Sequence, residues 1–174
     1  MSLLDRVAGG SLLKPPTVIE RFDDRGTVEE LKARIWADLL PAQREFVSDE
    51  SHRILGYIGG FGSGKSFALC AKAIWLGMSN PGTTAMVAEP SFPMIRTVLV
   101  PAMDAALEQW GIDFDYRVSP QPEYVLKLPN GNVKLLAQSA ENWQRVRGQN
   151  ISFVLWDESD SSPVEIAQKA GEMF

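Results

Sequence analysis

From Val28 onward the apolar positions fall at helical spacing, with Val28, Leu31, Ile35 and Leu39 on one face. Thr27 and Glu30 precede that face as a capping box, which satisfies two backbone donors at a helix start. Pro41 ends this helix and opens a second, shorter one through Gln43, Phe46 and Val47. The pattern then changes. Arg53 to Ile58 reads as a strand that runs into the glycine-rich loop Gly59 to Gly64. Lys65 to Met78 carries only Lys65 and Lys72 as charges, and a helix so apolar is buried against a sheet.

After the turn Asn80-Pro81-Gly82, Thr84 to Ala88 reads as a second buried strand. Pro93 to Trp110 is helical, disturbed at Pro101 and stopped by Gly111. Tyr124 to Leu128 and Asn132 to Ala137 flank Pro129-Asn130-Gly131, a hairpin signal. Ile151 to Trp156 is a continuous apolar run ending in Asp157-Glu158. Ser162 and Glu165, around Pro163, cap a last helix. Strands alternating with helices predict an α/β fold with a mostly parallel sheet, the hairpin being an antiparallel addition at its edge. Residues 1–26 show no sustained period and read as an extended arm, leaving 27–174 as the folded unit.

Composition narrows the chemistry. With one Cys and one His in 174 residues, neither an internal disulfide nor the usual Cys/His zinc site is possible. No apolar stretch approaches the roughly 20 residues of a membrane span. Lys and Arg number 17 against 22 Asp and Glu, a net charge of −5, which argues against a passive nucleic-acid coat but leaves room for a local basic groove.

The chemistry sits in two places. Gly59-Gly60-Phe61-Gly62-Ser63-Gly64-Lys65-Ser66 fits the phosphate-loop pattern G-x-x-x-x-G-K-[ST], with an apolar run before it and a helix after it. Its glycines let successive backbone N–H groups face phosphate oxygens, and the helix N-terminus adds positive potential there. Lys65 would reach the β- and γ-phosphates of a nucleotide, and the Ser66 hydroxyl would ligate Mg²⁺. At the second place, the apolar run delivers Asp157 to the Mg²⁺ shell, and Glu158 beside it is the general base for the attacking water. Asp160 competes for either role but lies past the strand end.

Two further residues carry candidate roles. The Gln43 carboxamide matches the donor–acceptor edge of adenine. Arg147 has the chemistry of an arginine finger. His52, Trp110, Trp143 and Cys70 read as solvated or packing residues.

Taken in order, these segments resemble the N-terminal ATPase region of tailed-phage terminase large subunits, over roughly Pro41 to Pro163. Pro41-Ala42-Gln43 resembles the adenine motif, Gly59 to Ser66 the phosphate loop, and Glu89 to Arg96 the segment after the second strand. Leu128 to Val133 resembles the hairpin, and Arg147-Gly148 with Trp156-Asp157-Glu158 resembles the Arg-Gly and Asp-Glu motifs. The resemblance implies a three-layer P-loop sandwich of the additional-strand, catalytic-glutamate type. It implies an ATPase that drives double-stranded DNA into a procapsid in the host cytoplasm. Its partners would be the portal protein, the terminase small subunit and further copies in a ring, with Arg147 reaching a neighbour's ATP. Many relatives carry Arg where this chain has Phe61. The family's coupling motif and nuclease domain are absent from this sequence, so it reads as a partial ATPase domain, weak or inactive alone. A helicase-like P-loop ATPase, or a nucleotide-binding assembly module without turnover, are the competing readings. Ser159-Asp160 after Asp157-Glu158 does not follow the helicase pattern.

Overall fold

The computed structural model describes residues 25–141 and 150–161. Residues 1–24 of the arm, Arg147 and Trp143, and the last helix expected from Pro163, lie outside the described residues.

Helix α1 (Val28–Asp38) starts at the expected cap. Thr27 Oγ1 accepts from the Glu30 N–H at 3.1 Å, and Glu30 Oε2 accepts from the Thr27 N–H at 2.8 Å. Its face of Leu31 and Ile35, continued by Leu39, is buried. Helix α2 (Pro41–Ser48) follows. Helix α3 (Lys65–Ser79) is the apolar helix, and its Ala68–Ile74 stretch is fully enclosed. Lys72 within it is buried too, and its ammonium donates to the Val47 and Asp49 carbonyls, tying the end of α2 to α3.

The sheet comprises β1 (Thr84–Glu89), β2 (Phe114–Arg117), β3 (Glu123–Leu128), β4 (Gly131–Ser139) and β5 (Val154–Trp156), in the order β2-β3-β4-β1-β5. β4, β1 and β5 pair in parallel, and only β3 runs against the other four strands. Ala85, Val87, Val133, Leu135, Ala137 and Leu155 face the main core, where α1, α2, α3 and α5 (Val100–Gln109) pack. Met86, Leu136 and Ile151 form a smaller cluster on the opposite face. Sheet and one helical layer are therefore present among the described residues; the third layer of the expected sandwich is not among them.

Three local features differ from the sequence reading. The strand expected at Arg53–Ile58 does not form among the described residues. Among the described residues the sheet ends at β5, and Ile54 and Ile58 are 81% and 98% exposed. A strand is held by ladder bonds to a neighbour, and among the described residues this segment has no ladder partner. Conversely, β2 was not foreseen. It pairs with β3 and stacks Phe114 and Tyr116 on Tyr124, with ring centroids 5.5 and 4.6 Å apart. Third, the helical stretch 92–109 is divided. A short α-helical turn, α4 (Phe92–Met94), leads into a π-helical turn over Ile95–Leu99, and α5 follows. Pro101 has no N–H and its ring crowds the preceding turn, so the wider π register just ahead of it accommodates the proline.

Candidate nucleotide-binding site

The loop before α3 is built by its glycines. Gly62 and Gly64 sit at φ +74° and +77°, where a side chain is strained. A Cβ on Gly59 would fall 2.4 Å from Ser63 Oγ. Gly64 is the N-cap of α3, so the unpaired N–H groups of a 15-residue helix open directly onto the loop. Phe61 stands fully exposed at the loop tip. Lys65 folds back over the loop, its Nζ donating to the Gly59 and Gly60 carbonyls at 3.1 and 3.3 Å. Those carbonyl bonds are what a phosphate oxygen would displace.

Strand β5 brings the acidic pair to the same place. The Asp157 N–H continues the ladder to the Ala88 carbonyl at 3.0 Å. The Ser66 hydroxyl donates to Asp157 Oδ2 at 2.6 Å, joining residues 91 positions apart. Asp157 Oδ1 accepts from the Glu158 N–H at 3.0 Å. Glu158 takes φ +46°, a left-handed conformation that costs a non-glycine residue energy and concentrates at functional sites. This turn leaves its half-exposed side chain 4.0 Å from Lys65 Nζ. Asp160 lies in the exposed 3₁₀ turn Ser159–Ser161 that follows.

Ser66 and Asp157 supply hard oxygen donors at a helix N-terminus, a donor set that suits Mg²⁺ sharing its shell with phosphate and water. Among the described residues no three His, Cys, Asp or Glu side chains converge as a protein-only metal cage.

Gln43, the candidate for the adenine edge, is turned into the protein in this structure. It is 3% exposed, and its carboxamide is engaged within the protein. Oε1 accepts from the Leu40 N–H at 2.9 Å, and Nε2 donates to the Gly64 carbonyl at 3.3 Å. The side chain thus braces α2 against the left-handed cap of the loop. On this geometry Gln43→Ala weakens ATP and GTP binding alike, by roughly three- to tenfold, the worth of one neutral hydrogen bond. Parallel titrations with the two nucleotides check this; a loss confined to ATP would restore the base-edge role.

Glu89, at the end of β1, was missed as a site residue. It is fully buried, and among the described residues neither carboxylate oxygen has a hydrogen-bond partner. Burial first, and then the charges of Asp157 and Glu158, push its pKa up to about 8. The available signal was a carboxylate ending an otherwise apolar strand at the edge where Asp157 also emerges. Cys70 on α3 is buried, and burial with the nearby acids pushes its thiol up to about 12, leaving it unreactive.

A phosphate loop capping an apolar helix, facing an acidic pair at the end of a parallel strand, defines a P-loop nucleotide-binding domain. The family described as terminase large subunit, T4likevirus-type, N-terminal matches residues 57–169, and the chain belongs to that family. Among solved structures, the large terminase from a thermophilic bacteriophage shares the fold with a TM-score of 0.62 at 11% identity, covering 83% of this chain. The same phage protein in complex with ADP gives 0.60 at 13% identity over 84% of this chain. In complex with ATP-gamma-S it gives 0.56 at 12% identity over 82%. This chain spans 35%, 35% and 34% of those three chains. None of the curated proteins compared with it matches. No helix among the described residues is long and apolar enough to cross a membrane.

Proposed function

We propose that this chain is the ATP-binding and ATP-hydrolysing part of a terminase large subunit, and that its turnover drives double-stranded DNA into a procapsid. The observation that carries the reading is the 2.6 Å contact between Ser66 and Asp157, which unites the phosphate loop with the acidic strand end. We assign the ATPase unit to residues 27–174, with 1–26 outside it.

In this reading the N–H groups of Gly59 to Ser66 wrap the phosphates. Lys65 exchanges its loop carbonyls for the β- and γ-phosphates. Ser66 and Asp157 hold Mg²⁺, which when bound neutralises negative charge on the phosphate oxygens. Glu158 takes a proton from water. The water oxygen bonds to the γ-phosphorus, and the bond from that phosphorus to the bridging oxygen breaks, leaving ADP and phosphate. Arg147 acts as an arginine finger on a neighbouring subunit's ATP in a ring. The portal protein and the small subunit are the partners, and the host cytoplasm is the place of action.

The test follows phosphate release against protein concentration, with double-stranded DNA and procapsids added in turn. The reading expects slow turnover by monomers and rising specific activity as chains associate. ATP binding without hydrolysis under every condition would favour a nucleotide-binding assembly module instead.

A further inference from the structure

Lys72 is the one charged residue in the enclosed part of α3. It is 3% exposed and lies about two turns beyond Lys65 on the same helix. Enclosing an ammonium is costly unless its donors are met, and burial lowers the Lys72 pKa. An apolar side chain of the same length would fill this core without that cost. The charge is spent on α2. The ammonium donates to the Val47 carbonyl, in the last turn of α2, at 3.1 Å, and to the carbonyl of the cap residue Asp49. A cation there meets free carbonyls at the negative end of the helix dipole. The same ammonium lies 5.7 Å from the centre of the Phe46 ring.

Helix α2 in turn touches the phosphate loop at both of its ends. Phe46 packs on Tyr57 with ring centroids 5.2 Å apart, and Tyr57 stands two residues ahead of Gly59. At the other end Gln43 Nε2 donates to the Gly64 carbonyl at 3.3 Å. The approach is close there, since a Cβ on Gly64 would lie 2.7 Å from Gln43 Nε2. Among the described residues Arg53–Ile58 has no ladder partner, so ladder bonds do not fix how the chain enters the loop. The Phe46–Tyr57 contact supplies an anchor in their place.

We propose that Lys72 is a positioning residue for the phosphate loop, acting through α2: it locks the C-terminal end of that helix onto α3 and so sets where Phe46 and Gln43 meet the two ends of the loop. The proposal rests on Gly59 to Ser66 being a phosphate site. It gives Lys72 no contact with the nucleotide.

The test titrates inorganic tripolyphosphate and ATP, each with Mg²⁺, into wild type, Lys72→Met, Gln43→Ala and the double variant, well below the melting temperature of each. Tripolyphosphate has no base, so it reads the loop alone. Lys72→Met removes the donors and keeps the length of the side chain. It should weaken both ligands roughly three- to tenfold, the worth of one hydrogen bond. Because Lys72 and Gln43 act through one helix, the double variant should bind within about twofold of the weaker single variant. A lysine that only stabilises the core would lower the melting temperature and leave the affinity of the folded protein unchanged, which overturns the proposal. So does a double variant whose losses multiply in full. Phe46→Leu covers a Lys72→Met protein that does not fold. It keeps the core apolar, removes the ring shared by Lys72 and Tyr57, and should weaken tripolyphosphate roughly two- to fivefold. Unchanged binding by folded Phe46→Leu overturns the proposal. Folded wild type that binds neither ligand removes the phosphate site, and the proposal with it; wild-type binding that these variants leave unmoved removes only the role of Lys72.

Discussion

Replacing Glu158 by Gln should leave ATP bound and lower its hydrolysis by roughly 10²–10⁴-fold, the usual contribution of a positioned general base. The substitution keeps the size and hydrogen-bonding reach of the side chain and removes only its ability to take a proton. The local backbone is what makes the role specific to this residue. The ladder bond from the Asp157 N–H to Ala88 fixes the strand end, and the Asp157 carboxylate fixes the Glu158 N–H. The chain then turns through φ +46° and presents the Glu158 carboxylate beside Lys65. Phosphate release and ATP affinity, measured on the same preparation, check the expectation. A larger rate loss in Asp160→Asn would move the base to the exposed turn beyond the strand.

Lys65→Ala should weaken ATP binding by roughly 10–100-fold, the loss of about 1.5–3 kcal/mol from a charge-assisted contact to phosphate. The ammonium is already at the loop, bonded to the Gly59 and Gly60 carbonyls. It has to give up those bonds to meet a phosphate, so the net loss falls short of the full strength of an ion pair. The same carbonyl bonds brace the empty loop, and thermal melting of the variant separates a loosened loop from a lost phosphate contact. Unchanged affinity in a folded Lys65→Ala protein would contradict the loop's assignment.

What the sequence made legible was local and periodic. The Thr27–Glu30 cap, the apolar face of α1, the enclosed α3, the hairpin around Pro129-Asn130 and the strand ahead of Asp157-Glu158 each follow from spacing or turn chemistry within a few residues. The segment Arg53–Ile58 shows the limit of that reasoning. Its apolar composition suits a strand, but a strand exists only with a paired neighbour, and composition does not supply one. β2 failed in the opposite sense: four residues with Phe114 and Tyr116 on one face are too short to stand out, and their stability comes from stacking on Tyr124. The phosphate-loop and Asp-Glu patterns stand out in the sequence because the chemistry proposed for them demands particular residue types in order. The surroundings of Gln43 and Glu89 were not legible, because they depend on what lies across the fold. Gln43 faces Leu40 and Gly64 rather than open solvent. Glu89 becomes chemically unusual only when β5 sets two further carboxylates near it.

The central claim is that Gly59 to Ser66 and Asp157 form one site for ATP with Mg²⁺. Calorimetric titration of the protein with ATP, in Mg²⁺ and then in excess chelator, tests it most directly, with Asp157→Asn run alongside. The account predicts saturable binding of one ATP per chain, markedly weaker without Mg²⁺, and a much smaller Mg²⁺ effect in Asp157→Asn. Absence of binding by folded protein, or binding indifferent both to Mg²⁺ and to Asp157, would contradict it.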